Sequence, residues 1–170
     1  MTASIPGFSD PFSSLTHLAG ATVFAILTAV LLHRGRGDFG RVLALCVFAF
    51  SCVLLLSLSG AYHLLAPGTA GREVLKRLDH AAIFGLIAGS FTPVHAILFH
   101  GAWRWDMLAG IRGAAIAGLT LKTINFSATP EWAGLLMFLW LGWMGVISVV
   151  ALARRYGLVF VLPLIWCGLA

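Results

Sequence analysis

Long apolar runs, broken by short polar connections, occupy most of the chain. Several reach the ~18 residues that carry a helix across a bilayer. Lipid offers backbone N–H and C=O groups no partner, so a spanning segment must close its own hydrogen bonds. The runs lack the period-two alternation of an outer-membrane barrel strand. The expected fold is all-α, a polytopic transmembrane helix bundle. Composition agrees: 60% of the residues are hydrophobic and only 10% are charged, against about 25% charged in a soluble domain.

The runs divide the chain into five full helices and an incomplete sixth. Start and stop signals place the helices near Leu15–Leu32, Val42–Leu65, Asp79–Phe99, Met107–Ile124 and Glu131–Leu152. The last run, Gly157–Ala170, covers only ~21 Å of a ~30 Å hydrocarbon core. It is expected to be poorly anchored, and residues 1–170 read as one C-terminally incomplete domain. Pro93 is expected to bend the third helix, because proline removes a backbone donor. Trp103 and Trp105 read as an interfacial anchor. His95 and His100, just after Pro93, read as interfacial too.

Other classes fall away. The net charge of +5 comes largely from loop arginines of the kind that face anionic lipid. No basic stripe with interleaved aromatics suggests nucleic acid. Cys46, Cys52 and Cys167 lie in apolar runs with no CxxC, which argues against a disulfide framework or a cysteine metal knuckle. The N-terminus has no positive region ahead of an apolar run, so it does not read as a cleaved signal peptide. Membrane lipids are the expected partners, and the oligomeric state stays open.

Chemistry concentrates in Leu54–Ala82, LLLSLSGAYHLLAPGTAGREVLKRLDHAA. Ser59 and His63 are four apart, so a helix places them on one face. A short basic loop is expected to follow, with Asp79 opening the next helix at the depth of His63. Each has a bland reading: His63 at the headgroup level, Asp79 at the positive end of a helix dipole. Together they read as a site, since ionisable groups in membrane segments are costly and commonly functional. Alternating helices bring Asp10, His17, His80, Lys122, Asn125 and Glu131 to the same face. Zinc suits this donor set in kind, although a catalytic zinc takes three protein ligands plus water, and adding His17 or His80 to His63 depends on helix rotation. A Ser59–His63–Asp79 hydrolytic triad ranks lower, because Ser59 has no strained elbow to expose it.

Four stretches carry a family likeness: DPFSSLTHLAG (Asp10–Gly20), SGAYH (Ser59–His63), LDHAAIFGLIAGSFTPV (Leu78–Val94) and LWLGWMGV (Leu139–Val146). On these the chain resembles the bacterial hemolysin III branch of the progestin and adipoQ receptor (PAQR) family. Asp10 and Ser14 stand where that family usually has Glu and Asn. The resemblance implies seven helices and a zinc ion held by His63 with two histidines of a seventh-helix HxxxH that this chain does not contain. It implies that Asp79 holds the metal-bound water and that Ser59 is the motif serine. It also implies a cytoplasmic N-terminus, whereas the loop arginines concentrate on the opposite face.

Three functions follow as expectations. The first in rank is a receptor-like or membrane-lipid homeostasis role in the cell membrane, with a zinc site near one membrane face. The second is a zinc-dependent, ceramidase-like amide hydrolase using Asp79 and Ser59. The third is a pore-forming or cytolytic protein.

Overall fold

The computed structural model describes residues 9–126 and 130–169. They form six helices and, among the described residues, no strand: α1 (Pro11–Arg34), α2 (Phe39–Leu64), α3 (Ala70–Leu98), α4 (Ala102–Ile124), α5 (Glu131–Tyr156) and α6 (Leu158–Leu169). The first five are long and apolar enough to cross a membrane. The side chains of Glu131 and Cys167 lie outside the described set.

Local chemistry accounts for the helix starts. Asp10 caps α1, its carboxylate accepting the Ser13 N–H, with Pro11 in the first turn. Asp38 caps α2 by accepting the Arg41 N–H at 2.9 Å, and Thr69 caps α3 by accepting the Arg72 N–H. The turn before α3 needs Gly68, whose φ of +81° is a region that side chains disfavour.

α3 corrects the expected basic loop. GREVLKR is not a connection but the first turns of the helix, and the link from α2 is only residues 65–69. The 29-residue helix is ~44 Å long against a ~30 Å core, so its basic turns can project past the hydrocarbon. Asp79 lies more than two turns inside α3 rather than at its start, which removes the helix-dipole reading. The helix runs through Pro93 to Leu98.

Helices α1 to α4 pack as sequential antiparallel neighbours, and α3 also touches α5. Small residues allow the close approaches, as expected where apolar burial cannot drive helices together in lipid. Gly60 of α2 lies under Leu18 of α1, Gly89 of α3 lies on Ser51 of α2, and Gly118 of α4 lies on the Phe84 ring of α3. Phe84, Ile111, Ala115 and Leu141 form one buried cluster among α3, α4 and α5. A second joins Phe99, Leu152 and Val161. Fully buried Val161 packs the sixth segment against α5. Outward apolar side chains such as Ile26, Leu27, Leu136 and Trp143 are exposed, as a lipid-facing surface requires.

His95 is a further correction. It is fully buried, its Nδ1–H donating to the Phe91 carbonyl at 3.1 Å. Its Nε2 lies 3.1 Å from the Ser148 hydroxyl of α5, and the ring stacks between Phe91 and Phe99. His100, two residues past the end of α3, is exposed.

Candidate functional site

The start of α1 grips the end of α2. The last carbonyls of a helix have no partner within it. Here the Asp10 N–H donates to the His63 carbonyl at 3.1 Å and the Ser9 N–H to the Leu64 carbonyl at 3.3 Å. One turn further in, the buried Ser14 hydroxyl donates to the Gly60 carbonyl at 2.9 Å. This backbone clasp brings the Asp10 carboxylate 3.3 Å from His63 Nδ1. That nitrogen is buried and has no partner in hydrogen-bond geometry, so the contact is one of proximity.

Two more rings close around His63. His17, one α1 turn from Ser13, stacks on it at 5.7 Å between centroids, and Tyr62 meets it edge-on at 4.9 Å. The His17 Nδ1–H donates to the Ser13 carbonyl at 2.6 Å, which fixes the ring. Arg72 lies over Tyr62 at 4.7 Å and donates to the Leu65 carbonyl. Asp10 itself is held below the usual carboxylate range, chiefly by hydrogen bonds from the Ser13 hydroxyl and backbone N–H, with the His63 charge a smaller cause.

Ser59 and Asp79 complete the sequence-derived set. Ser59 is buried in α2, beside the Gly60 that the clasp holds. The Gly89–Ser51 contact sets the antiparallel register of α2 and α3. Counting back along both helices puts Asp79 level with Ala61, ~3 Å in height from Ser59 and from His63. Asp79 is mostly buried, and its ion contact is with its chain neighbour, 3.9 Å to His80 Nδ1. Among the described residues no ion pair joins Asp79 to His63. His63 instead has a carboxylate partner from α1, which spacing within Leu54–Ala82 could not show.

A second cluster lies beside these residues. His80 meets the Phe126 ring edge-on at 5.5 Å, while Lys76, Arg77 and Lys122 lie over that ring at 5.5 to 5.7 Å. Cations over an aromatic face are attracted by its quadrupole. Lys122 is buried in the last turn of α4.

The donor set falls short of zinc on its own. Among the described residues no three His, Cys, Asp or Glu side chains converge as metal ligands. His63 and Asp10 provide one imidazole and one carboxylate where three protein ligands are needed. No catalytic step through a metal follows from these residues alone.

The haemolysin-III related family matches residues 8–169, nearly the whole chain. The chain belongs to this family. Hemolysin-3 of Bacillus cereus is 30% identical over 139 residues, 81% of this chain and 63% of that protein. The Hemolysin-3 homolog of Bacillus subtilis (strain 168) is 25% identical over 139 residues, 81% of this chain and 64% of that protein. The match thus spans a little under two thirds of these relatives. This haemolysin III-related chain is an integral, multi-pass membrane protein, as its family and its five apolar spans require.

Proposed function

We propose that the protein has a receptor-like or lipid-homeostasis role in the cell membrane, centred on the polar face where α1 begins and α2 ends. The observation that supports this most is the Asp10–His63 contact, with its buried and unsatisfied ring nitrogen under His17. An ionisable cluster packed between the ends of two spanning helices, with one ring nitrogen buried and unpartnered, is costly, and such clusters commonly bind or move something. Ser59 and Asp79 belong to the same layer. Zinc belongs to this reading only with ligands supplied from outside the described residues.

The test uses an intact-length haemolysin III protein carrying this chain. Its loss from cells is expected to change membrane lipid composition, with no lipid-amide turnover and no dye release from liposomes by the purified protein. Saturable amide turnover lost in Asp79→Asn would replace this reading with the hydrolase. Dye release would replace it with the cytolytic activity named for the relatives.

A further inference from the structure

A cavity of about 580 Å³ opens on the opposite membrane face, between the start of α2, the end of α3 and the start of α4. Arg41, Arg104 and Arg112 line it. Arg104 and Arg112 are eight residues apart on α4, ~12 Å along its axis, so positive charge extends from the mouth of the cavity into the span. α3 orients both side chains. Arg104 donates to the Ala96 carbonyl, and Arg112 Nη2 lies 3.4 Å from the Thr92 hydroxyl. Arg104 Nε is buried with no hydrogen-bond partner.

Among the described residues none of the three guanidinium groups has a carboxylate within ion-pair distance. Asp38, the carboxylate in the lining, accepts the Arg41 backbone N–H as the cap of α2. Three arginines against one aspartate leave a surplus of two positive charges, and exposed His100 also faces the cavity. The walls beside the arginines are apolar. Leu43 and Val47 of α2 line the cavity and are themselves exposed.

We propose that this cavity binds one anionic glycerophospholipid, its phosphate among Arg41, Arg104 and Arg112 and its acyl chains along Leu43 and Val47. Guanidinium forks match phosphate oxygens in geometry as well as charge. Basic pockets between spanning helices recognise headgroups in this way. An anion here would also neutralise the arginine that α4 carries into the hydrocarbon, where an unpaired charge is costly. The inference is independent of the function assigned to the His63 face.

The test is native mass spectrometry of the 170-residue chain in detergent, titrated with phosphatidylglycerol, phosphatidylcholine or inorganic phosphate. Phosphatidylglycerol is expected to bind at least about tenfold more tightly than phosphatidylcholine, the effect of one charge-assisted contact. R104Q and R112Q are each expected to lose about that preference. The double variant R154Q/R155Q, with charge removed from the same face outside the cavity, should keep it. If the Gln variants do not fold, R104K and R112K keep the charge without the fork and should show a reduced preference. L43W, at the apolar wall, should weaken retention with every arginine intact. Equal binding of the two lipids, or equal loss in R154Q/R155Q, would overturn the proposal. So would full displacement of the lipid by inorganic phosphate, which would make this a free-phosphate site.

Discussion

At the scale of single residues, Asp10 does two jobs: it caps α1 and it faces His63 on α2. Its carboxyl is held below the usual range first by Ser13 and less by His63. A depressed carboxyl contributes stability that is present above its unfolded-state value and lost as pH falls through its folded-state value. The Tm in detergent should therefore be insensitive to this group at neutral pH and fall on its account only in the acid range. Asp10→Asn should lower the neutral Tm and flatten that acid limb; an unchanged acid limb would dissociate Asp10 from it. His95 is the second informative residue. Its removal leaves a buried cavity and an unpaired Ser148, so His95→Ala should cost about 2–3 kcal/mol. A double-mutant cycle with Ser148→Ala should give a coupling of about 0.6 kcal/mol, the average for hydrogen bonds between membrane helices, and at most about 1.7 kcal/mol. Zero coupling in reversible unfolding would mean that the histidine acts by packing alone.

At the scale of elements, α3 organises the bundle through two glycines on different helices, its own Gly89 and the Gly118 that α4 lays on Phe84. A methyl at Gly118 would enter the space of the buried Phe84 ring. Gly118→Ala should therefore destabilise by about 1–3 kcal/mol, the usual cost of overpacking. Gly85 is also inside a helix, yet a methyl there meets nothing within 4 Å. Gly85→Ala should instead gain about 0.5–1 kcal/mol by reducing backbone freedom. Comparing both in one unfolding assay separates contact from helix propensity; shifts of the same sign would show that the α3–α4 approach does not depend on Gly118. The length of α3 also bears on the site. Because its basic turns are helical, Arg72 and Lys76 reach Tyr62 and Phe126 from a rigid rod rather than from a loop.

At the scale of the molecule, two faces carry different chemistry. One gathers His17, His63, Asp10, Asp79 and His80, and the other gathers Arg41, Arg104 and Arg112 around a cavity. The first face lacks a full ligand set among the described residues. Purified in detergent, the 170-residue chain should therefore hold well under one zinc per chain. Near-stoichiometric zinc that disappears in His63→Ala would show that His17, His80 or Glu131 completes the site.

Much of this was legible before any tertiary contact was known. Membrane class and helix number follow from run length, because lipid forces an apolar segment to satisfy its backbone internally. The four-residue spacing of Ser59 and His63 puts both on one face of α2, whereas the level of Asp79 comes from the Gly89–Ser51 register, because α3 begins at Ala70 and not at Asp79. The boundary of α3 was not legible, because a charged, amphipathic start resembles a loop when hydropathy alone is read. Neither was the partner of His63. A helix that is apolar all round does not declare which side it buries, so its rotation is set by contacts such as Gly60 under Leu18 and Gly89 on Ser51. Those contacts turn His63 toward Asp10 and seat His95 on Ser148. The sequence by itself determined the class and the number of apolar spans; only the tertiary structure, by setting where α3 begins and how each helix is rotated, decided which polar groups meet.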